Sequence, residues 1–112
     1  MEGLLGPEMK ILQDFRGMAI RLTDERLAHI LEHPEMAGIE AEIGWTLRKP
    51  EMVVESLSDS KAHLYYRYYM EIRSGGKYLC VVVKIGRDDA FVLTAYLTDA
   101  VKRGKQIWPN EK

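Results

Sequence analysis

A chain of 112 residues, 46% hydrophobic and 29% charged, has the composition of one folded domain with a single core and no room for a second. Its formal charge of −1 lacks the net basic footprint usual in nucleic-acid binders, although Lys102, Arg103 and Lys105 cluster near the end. No apolar run approaches the roughly 20 residues of a membrane helix, no signal-peptide pattern is present, and the single Cys80 can form no internal disulfide. These features predict a cytoplasmic domain over residues 1–112 that does not enter a membrane.

Met1–Pro7, with two glycines and a proline, is expected to be a loose leader. Lys10–Phe15 and Met18–Leu22 read as a short hairpin turning at Arg16-Gly17. Thr23 is placed to cap a helix over 24–33, with Asp24 and Glu25 in its first turn and Leu27, Ile30 and Leu31 as its buried stripe. Arg26, His29 and His33 share another side. Pro34 ends this helix, and a second is predicted over 36–48, with Met36, Ile39, Ile43 and Leu47 inward and Trp45 widening the stripe. Glu51–Leu57 is the next strand.

The stretch His63–Thr98 reads as a three-stranded meander: 63–72, 77–86 and 90–98. A two-residue loop at Gly75-Gly76 sets one register, in which Tyr68 faces Val83, Tyr69 faces Val82 and Arg67 faces Lys84. A three-residue loop at Arg87–Asp89 sets the next, in which Val83 faces Leu93 and Val81 faces Ala95. Leu64, Tyr66, Tyr68, Met70 and Ile72 then look inward. Tyr65, Arg67, Tyr69, Lys84, Thr94 and Tyr96 form an open polar face. Asp99 is expected to cap a helical turn over 100–103, and Lys105–Trp108 to run extended along an edge. The fold class is α+β: a short N-terminal hairpin and two helices packed on one face of a four-stranded antiparallel sheet.

Four runs resemble domains of the barnase–EndoU–colicin–RelE-like superfamily: Arg21–Glu35 (RLTDERLAHILEHPE), Tyr65–Tyr69 (YYRYY), Lys77–Lys84 (KYLCVVVK) and Phe91–Tyr96 (FVLTAY). The active members of that superfamily are metal-independent ribonucleases. The resemblance implies an α+β fold with N-terminal helices against a four-stranded antiparallel sheet. It also implies a helix histidine at His29, a basic residue at Arg67 on the first meander strand, and a hydroxyl pair at Thr94 and Tyr96.

The residue types suit that chemistry. Metal-free RNA cleavage needs a base for the 2′-hydroxyl, an acid for the leaving 5′-oxygen and cations on the phosphoryl oxygens. His29 fits the first need, with His33 beside it, and Arg67 with Lys84 fits the last. Tyr65, Tyr69 and Tyr96 offer surfaces on which bases stack. No cofactor is expected. His29 and His33 lack a third ligand and the glutamate that follows the first histidine of a zinc protease, so no metal is expected either. A second reading stays open, in which the tyrosines are a cross-strand packing patch and the domain is an inactive binding module. Its sheet face would then serve RNA, a protein partner or self-association.

Overall fold

A computed structural model of the chain describes residues 8–72 and 75–110. The expected leader, Met1–Pro7, lies outside the described residues. Strands β1 (Met9–Gln13) and β2 (Ala19–Thr23) form the N-terminal hairpin, and Gly17 takes the positive φ of +87° that its turn requires. Thr23 closes β2 and caps helix α1 (Asp24–Leu31): its Oγ1 accepts the Arg26 N–H at 3.1 Å. A cap of this kind contributes about 1 kcal/mol. Pro34–Met36 is one 3-10 turn, and Gly38, at φ +77°, holds the chain out of helix until α2 (Glu40–Arg48) begins. The second helix therefore starts later than its apolar stripe suggests, although Met36 and Ile39 are buried from outside it.

Strands β3 (Met52–Ser56), β4 (Ala62–Tyr69), β5 (Lys77–Ile85), β6 (Ala90–Thr98) and β7 (Gly104–Trp108) complete the chain. All seven strands join one sheet in the order β1-β2-β6-β5-β4-β3-β7. It is mixed, because β2 runs parallel to β6 through Arg21 and Phe91. The expected four-stranded antiparallel sheet is thus too small. The hairpin extends the sheet beyond β6, and β7 pairs with β3 at the far side, so every meander strand gains a neighbour on both edges. The class remains α+β. No helix among the described residues is long and apolar enough to cross a membrane.

The sheet curls around α2, which packs against β1 as well as β4 and β5. Curling brings the two flanks of the strand order together: Phe15 in the first hairpin stacks at 5.0 Å on Trp108 in β7. Inside lie Ile20, Ile30, Ile43, Leu47, Val81 and Val83, all at most 1% exposed. Burying each such side chain contributes about 1.5–3 kcal/mol. Trp45, expected at the edge of this stripe, is instead exposed on the outer flank of α2.

The β4–β5 register departs from the predicted one. Tyr65 pairs with Val81, Arg67 with Leu79 and Tyr69 with Lys77, a shift of five positions from the register set by a two-residue loop. β4 stops at Tyr69; Met70 is exposed, and Gly75 and Gly76 close a longer connection whose Arg73 and Ser74 lie outside the described residues. An odd shift turns every β4 side chain to the opposite face. β5 and β6 pair as expected from Tyr78 to Val82; a bulge then sets Val83 against Val92 rather than Leu93. One face, toward the helices, therefore holds Tyr65, Arg67 and Tyr69 with Leu79, Val81 and Ala95. The other holds Leu64, Tyr66, Tyr68, Cys80, Val82, Thr94 and Tyr96.

That second face has a small core of its own, covered by a strap. Residues 99–103 form no helical turn. They lead from β6, third in the sheet, to β7, seventh, and lay Val101 on the second core. The strap is short. Five residues at about 3.5 Å each barely match four strand spacings of roughly 4.8 Å, so the chain is drawn tight across the sheet. The Lys102 N–H donates to the Tyr66 hydroxyl at 3.0 Å and ties the strap down.

Candidate functional site

The predicted site residues fall into three places. His29 and His33 belong to the outer side of the helix layer. His29 is two-thirds exposed, with Nδ1 at 3.8 Å from Glu32 Oε1, and lines an open concavity of about 420 Å³ with Thr23, Arg26 and Glu32. His33 lies past the end of α1 in extended backbone, so the two imidazoles do not stack as an i, i+4 helical pair. Among the described residues, no three His, Cys, Asp or Glu side chains gather as a metal-binding group.

Arg67, Tyr65 and Tyr69 occupy the second place, under the helices. Arg67 Nη1 donates to the Lys49 carbonyl at the end of α2, at 2.7 Å. Tyr65 is fully buried, and its hydroxyl donates to Asp14 Oδ2 at 2.7 Å. The Tyr69 hydroxyl lies 3.0 Å from Thr46 Oγ1 and donates to the Glu42 carbonyl. These three residues fasten strands to helix and hairpin; Tyr65 is fully buried, and Arg67 and Tyr69 are half-buried.

Lys84, Thr94 and Tyr96 make up the third group, on the strap face. Rows run across it: Tyr66, Cys80 and Tyr96 in one, Tyr68, Tyr78 and Thr98 in the next. Tyr78 meets the Tyr66 ring edge-on at 6.1 Å and the Tyr68 ring at 5.1 Å. Tyr68, Tyr78 and Tyr96 are half-buried. Lys102 reaches from the strap so that Nζ lies 5.9 Å from the centre of the Tyr96 ring, with Arg103 exposed beside it. Neither of these cations pairs with a carboxylate among the described residues. Lys84 is less free: its ammonium is ion-paired with Asp59, whose carboxyl that hydrogen bond holds below its usual range.

No protein-family model, curated protein or solved structure matches the chain. The chemistry of the face must be read from its own residues. Burial raises the pKa of the Tyr96 hydroxyl, and pushes those of the Tyr66 hydroxyl and the Cys80 thiol up to about 12 and about 11. The three stand in one row across the sheet, Tyr66 opposite Cys80 and Cys80 opposite Tyr96. At neutral pH all stay protonated; they can donate hydrogen bonds but take no proton, and Cys80 is no nucleophile.

The arrangement therefore offers tyrosine rings beside two cations that have no carboxylate partner among the described residues, and Tyr66, Cys80 and Tyr96 supply no general base. Lys102, Arg103, Tyr68 and Tyr78 were not singled out from the sequence as site residues. The available signal was the alternation of the tyrosines in β4, read with the wrong phase. His63 stands near the start of β4. It is half-buried beside Arg16, Glu55 and Asp14; burial and the Arg16 charge lower its pKa, and its Nδ1 has no hydrogen-bond partner.

Proposed function

We propose that this chain is a binding module that takes single-stranded RNA across the strap face. The observation that carries the reading is the assembly of Tyr68, Tyr78 and Tyr96 beside Lys102 and Arg103. Partly exposed rings accept bases by stacking at about 1–3 kcal/mol per base, and cations beside them follow the phosphates. The residue resemblance to metal-independent ribonucleases supports the same substrate. His29 gives this face no acid–base group: α1 packs on the helix side of the sheet, with Ile30 in the main core, and His29 points outward from there, opposite the face that holds Thr94 and Tyr96. Arg67, committed to Lys49 on that same side, takes no part either. On the strap face the Tyr96 and Thr94 hydroxyls donate to phosphate oxygens and Lys102 offsets their charge. A cytoplasmic setting fits the free, buried Cys80.

Labelled RNA incubated in excess chelator, read by anisotropy for binding and on gels for cleavage, tests this reading. Lys102→Ala should weaken binding and flatten its salt dependence by about one charge. His29→Ala should leave binding intact. Binding without cleavage is the expected result; no binding, or cleavage by the unaltered chain that His29→Ala abolishes, overturns the reading.

A further inference from the structure

The two edges of the sheet are treated differently. At the β7 edge, Lys105 and Gln106 precede a proline after Trp108, and a bulge interrupts the pairing with β3. These are devices that discourage another strand from adding. At the β1 edge there is none. Met9–Gln13 has no proline or bulge, and its one charge, Lys10, is drawn back onto Glu40 of α2 rather than projecting outward.

The hydrogen-bond phase shows what that edge presents. Asp24 N donates to Glu8 O at 3.0 Å and Asp14 N to Met18 O at 3.0 Å, so the even positions of β1 bond to β2. The N–H and C=O groups of Met9, Ile11 and Gln13 then point away from the sheet. Around them stand Met9, Ile11 and Trp45, exposed by 49%, 57% and 48%, three of the five large apolar side chains exposed among the described residues. An open groove of about 410 Å³ runs between this edge and α2, whose Ala41 and Gly44 leave space in it.

We infer that β1 is an interface, and that its occupant is β1 of a second copy of this chain, paired antiparallel about a two-fold axis at Ile11. The strand is self-complementary in that arrangement: Ile11 meets its own counterpart, and Met9 meets Gln13 across the axis with every outward backbone group paired. Charge completes the match. α2 runs alongside β1, with Glu40 near Lys10 and Gly44 near Leu12, so Arg48 lies toward the other end. Reversal by the two-fold sets Arg48, which has no carboxylate partner among the described residues, against the Glu40 end of the facing helix. The two small residues lie between, and Trp45 from each copy covers the seam.

Sedimentation equilibrium of the full chain tests this, beside Ile11→Pro, Ile11→Lys and Ile11→Cys. The unaltered chain should approach twice its 12.9 kDa mass above about 100 μM. Ile11→Pro removes no hydrogen bond to β2, because that N–H points outward, and should weaken association at least tenfold. If circular dichroism shows that the proline variant is not folded, Ile11→Lys carries the same expectation. Ile11→Cys should form a disulfide-linked dimer under mild oxidation, since the axis sets position 11 against itself, while a Leu57→Cys control should not. A chain that stays monomeric at about 1 mM overturns the proposal. So does a dimer that survives both Ile11→Pro and Ile11→Lys, or one that Ile11→Cys fails to cross-link.

Discussion

Replacing Asp14 tests whether one buried carboxylate fastens the first hairpin to the meander. Asp14 is 2% exposed and accepts four hydrogen bonds: Arg16 N and Met18 N at 2.9 Å each, the Tyr65 hydroxyl at 2.7 Å and Arg16 Nη2 at 3.3 Å. Asp14→Ala leaves a fully buried tyrosine hydroxyl without an acceptor, a cost of about 1–3 kcal/mol. It also strips the turn of two bonds worth about 1 kcal/mol each, for a total near 3–5 kcal/mol. A chain of this size has a stability of order 0.05–0.15 kcal/mol per residue, so the loss is a large share. Asp14→Asn keeps the oxygen that holds both backbone N–H groups and presents an amide to the Tyr65 oxygen, and should lose about half as much. Tyr65→Phe removes the donor without orphaning a buried group and should cost about 1–2 kcal/mol. Urea denaturation followed by circular dichroism reads all three. A loss under about 1 kcal/mol for Asp14→Ala, or an Asn variant as weak as the Ala variant, would refute the reasoning.

Two further outcomes follow from the same packing. A Cβ at Gly104 would collide with the Glu55 carbonyl and with Val54 where the strap enters β7, so Gly104→Ala should destabilise by about 2 kcal/mol or more and lower Tm, measured calorimetrically. His63 gives a signature in pH. Its folded pKa lies below the ordinary 6.5, so the unfolded chain binds the extra proton: stability is full above about 6.5 and falls as pH drops toward the folded value. His63→Gln should flatten that slope in urea midpoints measured between pH 5 and 8, and an unchanged slope would refute the assignment.

The elements were largely legible because each carries its own punctuation. Thr23 with Asp24 and Glu25 announces α1, Pro34 ends it, and the Ile39–Ile43–Leu47 stripe marks α2. The β5–β6 register was legible from Tyr78 to Val82; nearer the connection a bulge shifts it by one, so that Ile85 meets Ala90 and the loop is a residue longer than Arg87–Asp89. The β4–β5 register was not. Met70 and Ile72 prolong the alternation of β4 although neither belongs to it; Ile72 is apolar because it packs against the main core from the connection. The paired glycines do adopt positive φ, but the Tyr68 ring packs over Gly76 and its hydroxyl bonds Gly75. They serve a longer loop rather than the two-residue turn that such a pair usually marks. From that slip the predicted site came apart, with Arg67 and the two tyrosines going under the helices. The strap was invisible for a different reason. Asp99–Gly104 has the look of a capped turn, and only the pairing of β7 with β3, a contact distant in sequence, pulls it straight.

The strand order also says when each part of the sheet can form. β3, β4, β5 and β6 are neighbours both in sequence and in space, so the middle of the sheet can zip up through short loop closures. Its flanks have no such advantage. Arg21 meets Phe91 across seventy positions, and β3 meets β7 only after three intervening strands have been made. Long closures of this kind slow folding, because their entropy is lost before any contact compensates. The central meander is thus the natural nucleus, with the hairpin and β7 docking late from opposite sides. Until β7 docks, the strap is slack and the tyrosine face lacks both its cover and its cations.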